Sequence, residues 1–261
     1  MLVSFTAPPS ISRRFWPVFM RNLLVWRKLA VPSVIGNIAE PLITLVAFGY
    51  GLGSMIGQID GRPYIQFLAS GSIVVSAALA ATFEALYSAY SRMQMQKTWD
   101  SIMNAPIALD DIVFAEMLWA AFKSLFSVAA IMLVIWVLGI SREPTMLLAL
   151  PLLGLVGITF ASVALVFNAL AKGYDFFTYY FTLVITPMTF LSGVYFPIEQ
   201  MPGWLQTVAH ALPLTAAVEL VRPLILGTPT GDVLWPVGVL AVYAVGGYYL
   251  ALVLTRRRFF K

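Results

Sequence analysis

Six apolar runs, each long enough to cross a hydrocarbon core, constrain this chain more than any other feature. They lie at about 33–55, 66–91, 112–139, 145–171, 176–195 and 233–255, and a spanning helix needs roughly twenty such residues. Inside a bilayer each backbone N–H and C=O must be paired within the protein, so single runs of this length fold as helices. With 60% apolar and 11% charged residues, against about a quarter charged in soluble domains, residues 1–261 read as one all-α membrane domain of six transmembrane helices.

The sixteen Lys and Arg residues set the orientation, because short basic loops stay on the cytoplasmic side. Arg13, Arg14, Arg21, Arg27 and Lys28 precede the first run, Arg92 and Lys97 follow the second, Lys172 follows the fourth, and Arg256, Arg257, Arg258 and Lys261 follow the last. The alternate loops carry only Arg62, Arg142 and Arg222. Both termini are therefore expected in the cytoplasm. The net charge of +4 sits beside the membrane segments, where anionic headgroups attract it. That points to membrane lipid as partner and not to nucleic acid.

Three segments outside the long runs have shapes of their own. At roughly 100° per residue, Arg14, Arg21 and Lys28 gather on one side of residues 15–29, and Phe15, Phe19, Leu23 and Trp26 on the other. That spacing predicts an interfacial amphipathic helix, with Pro17 in its first turn. The loop 92–111 mixes polar residues with Met93, Met95, Trp99, Ile102, Met103 and Pro106. It is expected to form a short helix that shows Trp99, Ile102 and Met103 to a soluble partner, since exposed apolar groups of that size mark contact surfaces. Residues 192–227 are apolar but cut by Pro197, Pro202 and Pro213 into pieces of roughly ten residues, half of what a crossing needs. They are expected to dip into the membrane between spans five and six and return on the far side.

The chemistry of nucleotide hydrolysis is missing. No Lys follows a Gly, so the phosphate-cradling G-x-x-x-x-G-K-[ST] loop cannot occur, and any ATP is hydrolysed by another chain. With no Cys and His210 as the only His, nucleophilic triads and zinc clusters lack parts. No catalytic, cofactor or metal site is expected. The run Gly49-Tyr50-Gly51-Leu52-Gly53 suits close helix approach and not dinucleotide binding.

Charge inside the spans is the sharper signal. Glu40, Glu84 and Lys123 each lie about 10 Å inside the membrane from the terminal side, at 1.5 Å of rise per residue. An isolated charge there costs at least about 2.5 to 3.5 kcal/mol. Lys123 is expected to pair with Glu84, with Glu40 as second partner or as a polar group of the path. Around Glu84, Ala77, Ala80, Tyr87, Ser88 and Ser91 share a face. Span five opens with Tyr174, Phe176, Phe177, Tyr179, Tyr180 and Phe181, suited to an interface belt or to stacking on sugar rings. Phe83, Tyr87, Tyr179 and Tyr180 are the candidate path residues.

Six spans, an interfacial first helix, a docking loop after span two and a broken return before span six together resemble the ABC type-2 permease family. The most specific residues are Ile185-Thr186-Pro187-Met188, Leu191-Ser192-Gly193 and Val221-Arg222-Pro223. Phe83-Glu84, Thr98-Trp99-Asp100, Tyr174-Asp175-Phe176 and Arg256-Arg257-Arg258 are similar to its nodulation-factor export branch. The resemblance implies two copies in a bacterial inner membrane, each docked on a NodI-like ATP-binding subunit that carries ATP and Mg. It also implies a route between the copies and an amphipathic glycan or lipid as cargo, such as a lipo-oligosaccharide. Met95, Thr98, Trp99, Asp100, Ile102, Met103 and Pro106 would then be the ATPase-coupling residues. Two other readings use the same residues: a drug or antibiotic exporter of this architecture, and a secondary transporter with Glu40, Glu84 and Lys123 as a proton relay.

Overall fold

The computed structural model describes residues 5–228 and 231–260, and the side chains of Val34, Asn37, Ile38 and Glu40 fall outside the description. The described residues are mostly helical. In order it forms α1 (Phe15–Arg27), α2 (Ala30–Gly51), α3 (Tyr64–Met95), α4 (Thr98–Met103), α5 (Leu109–Val137), α6 (Pro144–Leu170), α7 (175–191), α8 (Gly203–His210), α9 (Pro213–Leu226) and α10 (Leu234–Phe259). Between α2 and α3 a two-residue hairpin pairs Gln58 with Pro63 and Ile59 with Arg62. Its corner is Asp60-Gly61, both at positive φ (51° and 73°), as a tight hairpin turn with the right twist requires.

Among the described residues, α3, α5, α6 and α10 are long and apolar enough to cross a membrane. A fifth crossing counts α8 and α9 as one span, although they meet at 83°. The two other expected spans are weaker for identifiable reasons. Helix α2 contains Pro41, and the apolar helix that starts there, Pro41–Ile56, is short. Helix α7 is short too, with a wide π turn at Phe181–Ile185 and Pro187 just beyond it.

Helix α6 is the hub, packed on α3, α5, α9 and α10. Small residues permit the closest crossings, as apolar surroundings give helices little hydrophobic reason to associate. A Cβ on Gly157 would lie 3.1 Å from Ala121 Cα, and one on Gly247 would lie 3.2 Å from Val163 N. Helix α1 places its apolar face against α5, with Phe15 at 5.0 Å from Phe114, Phe19 at 5.9 Å from Trp119 and Trp26 at 4.9 Å from Phe126 between ring centroids. Protein covers that stripe.

The segment before α1 is strapped to the start of α5 and the end of α10. Ser10 donates its N–H and its hydroxyl to Asp110 Oδ2 at 2.8 and 2.9 Å, and Ser12 does the same to Asp111 at 2.7 and 2.8 Å. Arg256 closes the knot by donating to both Asp110 oxygens (3.0 and 2.5 Å) and to Ala7 O (2.5 Å). Two carboxylates in the first turn of α5 also suit the positive end of its dipole. At the same end Arg258 donates to the carbonyls of Asn168, Ala169 and Ala171, at and just beyond the last turn of α6, where carbonyls lack a full set of intrahelical partners.

On the opposite end, the chain from 192 onward is fastened to α3. Arg222 donates to Ser70 Oγ at 3.0 Å and Gly193 O at 2.6 Å while its guanidinium lies 3.8 Å over the Phe67 ring. Gly193 adopts φ +69°, where a side chain is strained. A Cβ on Gly71 would stand 3.0 Å from Val194 Cα and O. Gly71→Val is therefore expected to lower stability by about 1–3 kcal/mol and to expose residues 192–202 to protease, read by thermal melting in detergent and limited proteolysis. Wild-type behaviour in both would mean that this segment is not held by α3.

Candidate functional site

A wide turn in the middle of α3 sets the geometry of the site. Residues Glu84–Ser88 form a π turn, followed by another at Ser91–Met95. In a regular α-helix, residues eight apart are rotated by about 80°, and seven apart by about 20°. The extra residue of one π turn makes the pair Glu84 and Arg92 behave as if seven apart, so both point the same way. Such a turn tilts backbone carbonyls out of the helical ladder. Asn168 of α6, buried, donates Nδ2 to Ala85 O at 2.8 Å and Leu86 O at 3.2 Å, which fixes the turn from behind.

Facing that surface, α5 presents Glu116, Trp119 and Lys123 at offsets of three and four, the spacing of one helical face. Lys123 Nζ donates to Glu84 Oε2 at 2.6 Å, and Arg92 Nη2 donates to Glu84 Oε1 at 2.9 Å. Arg92 also engages Glu116 through Nε (2.9 Å) and Nη2 (2.5 Å), a fork on a carboxylate. Trp119 Nε1 donates to Glu84 Oε1 at 2.8 Å, and Trp99 Nε1 to Glu116 Oε1 at 3.2 Å. Two cations and two carboxylates cancel, and both carboxylates are almost fully buried. The result is a neutral string of ion pairs from Lys123 through Glu84, Arg92 and Glu116 to the indole of α4.

The inner end of the string lines a cavity of about 420 Å³, walled by Glu84 and Lys123, by Ser72, Ser76 and Ser88, and by apolar Val75, Leu79 and Phe83. The lining is therefore mixed, with charged, hydroxyl and apolar groups. Phe83 and Tyr87 both face it, and they belong to an aromatic row in which Tyr174 stacks on Tyr87 (6.0 Å), Tyr87 on Phe83 (5.6 Å) and Phe83 on Phe181 (4.7 Å).

Sequence reading brought Glu84 and Lys123 together, and the structure does the same. It missed Arg92 and Glu116, taking Arg92 for a loop cation. The offsets of Glu116, Trp119 and Lys123 were a usable signal; the π turn that aims Arg92 inward was not. Glu40 stays open, its side chain outside the described ones. Tyr180 does not line the cavity: it is buried against Phe167, 4.3 Å between centroids. Tyr179 is 64% exposed on a different face, beside Lys172 and Asp175.

The loop helix needs correction as well. Trp99 is 1% exposed and is not displayed to a partner. Its N–H meets Glu116 and its face stacks on Phe259 at 6.1 Å, a better burial of indole area than a free surface offers. Thr98, Ile102 and Met103 are half-buried, while Asp100, Asn104 and Pro106 are exposed and Met95 is 67% exposed. Lys97, at φ +52°, makes the sharp reversal from α3 into α4. His210 is exposed and sits 3.0 Å from Glu219 Oε1.

Helices of membrane-spanning length around a polar, charge-compensated cavity define a multi-pass membrane protein of transporter type. The chain belongs to the ABC-2 type transporter family, whose pattern matches residues 13–226. It is 45% identical to nodulation protein J of Rhizobium leguminosarum bv. trifolii over 98% of this chain and 97% of that one. It is 44% identical to nodulation protein J of Sinorhizobium fredii strain NGR234 over 92% of each, and 25% identical to the inner membrane transport permease YadH of Escherichia coli K12 over 91% of each. Membership implies an ATP-binding partner subunit.

Removing one member of a buried pair leaves an uncompensated charge and costs about 3–5 kcal/mol. Glu84→Gln and Lys123→Met are each expected to melt early by that margin, and the double change to recover most of the loss, because Arg92 keeps Glu116. Simple addition of the two losses in a thermal-melting cycle would show that the pair is not a unit.

Proposed function

We propose that this chain is the permease subunit of an ATP-driven exporter that moves an amphipathic glycan or lipid, such as a lipo-oligosaccharide, across a bacterial inner membrane. Two copies work side by side, each docked on a separate NodI-like subunit that binds ATP and Mg. In this reading α2 and α7 complete six spans, α8 and α9 form a re-entrant segment on the outer side, and both termini are cytoplasmic.

The observation that carries the reading is the string of ion pairs between the cavity and α4. An ATPase can influence cargo only if its contact differs between two states of the permease. Here the docking surface and the cavity wall are joined by a few short, directional bonds: displacing α4 moves Trp99, Trp99 holds Glu116, and Glu116 shares Arg92 with the Glu84 that lines the cavity. The exposed face of α4 and its flanks, with Met95, Asp100 and Pro106, is the dock; Trp99 is the link behind it. A cavity whose lining mixes charged and hydroxyl groups with aromatic and aliphatic ones favours an amphipathic cargo over a wholly apolar drug. The relatives named nodulation protein J point to a role connected with nodulation, and a lipo-oligosaccharide is the amphipathic cargo we propose for it.

The test is reconstitution with the ATPase in liposomes. Asp100→Lys combined with Met95→Ala is expected to lower cargo-stimulated ATP hydrolysis at least about fivefold, the lower end of typical coupling energies, with melting temperature unchanged. Full coupling in that variant sinks the docking role. Uptake driven by a proton gradient without the ATPase would replace the reading with secondary transport.

A further inference from the structure

A second cavity, of about 520 Å³, opens where α1 leans on α3 and α5, and its wall includes Arg21, Asn22, Trp26, Arg92, Trp119 and Lys123. Its charge does not balance. Glu84 and Glu116 are fully used by Lys123 and Arg92, so Arg21 is a cation without an ion pair among the described residues. Burial first, and then the neighbouring Arg92, hold the Arg21 guanidinium below its ordinary pKa, with Glu116 acting in the opposite sense.

The hydrogen bonds are unbalanced in the same sense. Arg21 Nη1 donates to Asn22 Oδ1 at 3.1 Å, which makes the amide nitrogen the free end of Asn22. That nitrogen is buried and has no acceptor, although Asn22 is only 3% exposed; Trp26 Nε1 is buried and unmatched too. A buried donor left unmet costs about 1–3 kcal/mol, and two lie here within four residues of one helix. A guanidinium, an amide N–H and an indole N–H around one cavity are the complement of a tetrahedral oxyanion, which offers several acceptors and negative charge at once. Val25 and Leu29 supply an apolar edge, and Glu84, Tyr87, Ser88 and Lys123 are common to this cavity and to the first one.

We propose that this cavity receives the phosphate or sulfate head of an acyl-chain amphiphile, with Arg21, Asn22 Nδ2 and Trp26 Nε1 as its donors, before the molecule passes along α3 to the central cavity. The direction of passage rests on the permease reading above; the site itself does not.

Binding of radiolabelled dodecyl phosphate to the nucleotide-free permease–ATPase complex, in phosphatidylcholine nanodiscs with empty discs as blank, tests it. Saturable binding is expected that dodecyl maltoside does not displace. Arg21→Gln and Asn22→Leu should each weaken it about tenfold, as loss of one charge-assisted bond does, and Arg21→Lys should recover part. Arg27→Gln, on the exposed side of the same helix, should leave it unchanged. Equal binding by Arg21→Gln with a normal melting curve, or an equal loss in Arg27→Gln, overturns the site. Exchanging phosphatidylcholine for phosphatidylglycerol separates two sources of the same chemistry: competition makes the membrane's own anionic lipid the occupant, and lack of competition makes it a transported molecule. Because no ATP is present, failure of the exporter reading leaves this measurement intact. Absence of saturable binding by the wild-type complex, with its cargo-stimulated ATPase activity intact, overturns the site and leaves the exporter reading standing.

Discussion

A charge placed in hydrocarbon has to meet an opposite charge, and the shape of this protein around α3 and α5 follows from that demand. Lys123 and Glu84 would each be costly alone. Together with Arg92 and Glu116 they form a neutral set in which two indole N–H groups fill further acceptor positions. Such a set has little tolerance for displacement, because its attraction depends on short distances while its desolvation does not. It therefore fixes the register of α3 against α5 and brings α4 against both.

The set could not assemble on a regular helix. Arg92 reaches Glu84 only because the π turn at Glu84–Ser88 rotates the end of α3, and that turn is held by the Asn168 amide from α6. The hub helix thus contributes to the site without touching the cavity. At the terminal end of the bundle, Asp110, Arg256 and Arg258 tie the first residues, the start of α5, the end of α6 and the end of α10 together. Phe259 closes the same region by stacking on Trp99.

The two cavities share Glu84, Tyr87, Ser88 and Lys123, and each mixes polar with apolar lining. Phe83 and Tyr87 belong to a row of stacked rings, and Glu84 and Lys123 beside them carry compensated charge. A molecule with a polar head and an apolar tail can meet both kinds of group at once. Helix α1 is part of this wall: its aromatic stripe anchors on α5, and its Arg21 and Asn22 turn toward the space that remains.

The apolar runs by themselves determined the helical class of the fold and, among the described residues, the four helices of membrane-crossing length, because backbone groups in lipid leave a chain few solutions. The spacing of aromatics in residues 15–29 and the presence of Glu84 and Lys123 in the spans were legible for the same reason: each is a local cost that the sequence itself displays. What tertiary structure decided was orientation. Trp99 could be read as an exposed anchor until Glu116 and Phe259 were seen to cover it, and Tyr180 as a path residue until Phe167 did. Arg92 could be read as a loop cation until a single wide turn, stabilised by a residue on another helix, brought it inward. A one-residue change of helical phase costs little and leaves no periodic trace, yet it rotates all that follows, and only the packed neighbours select it.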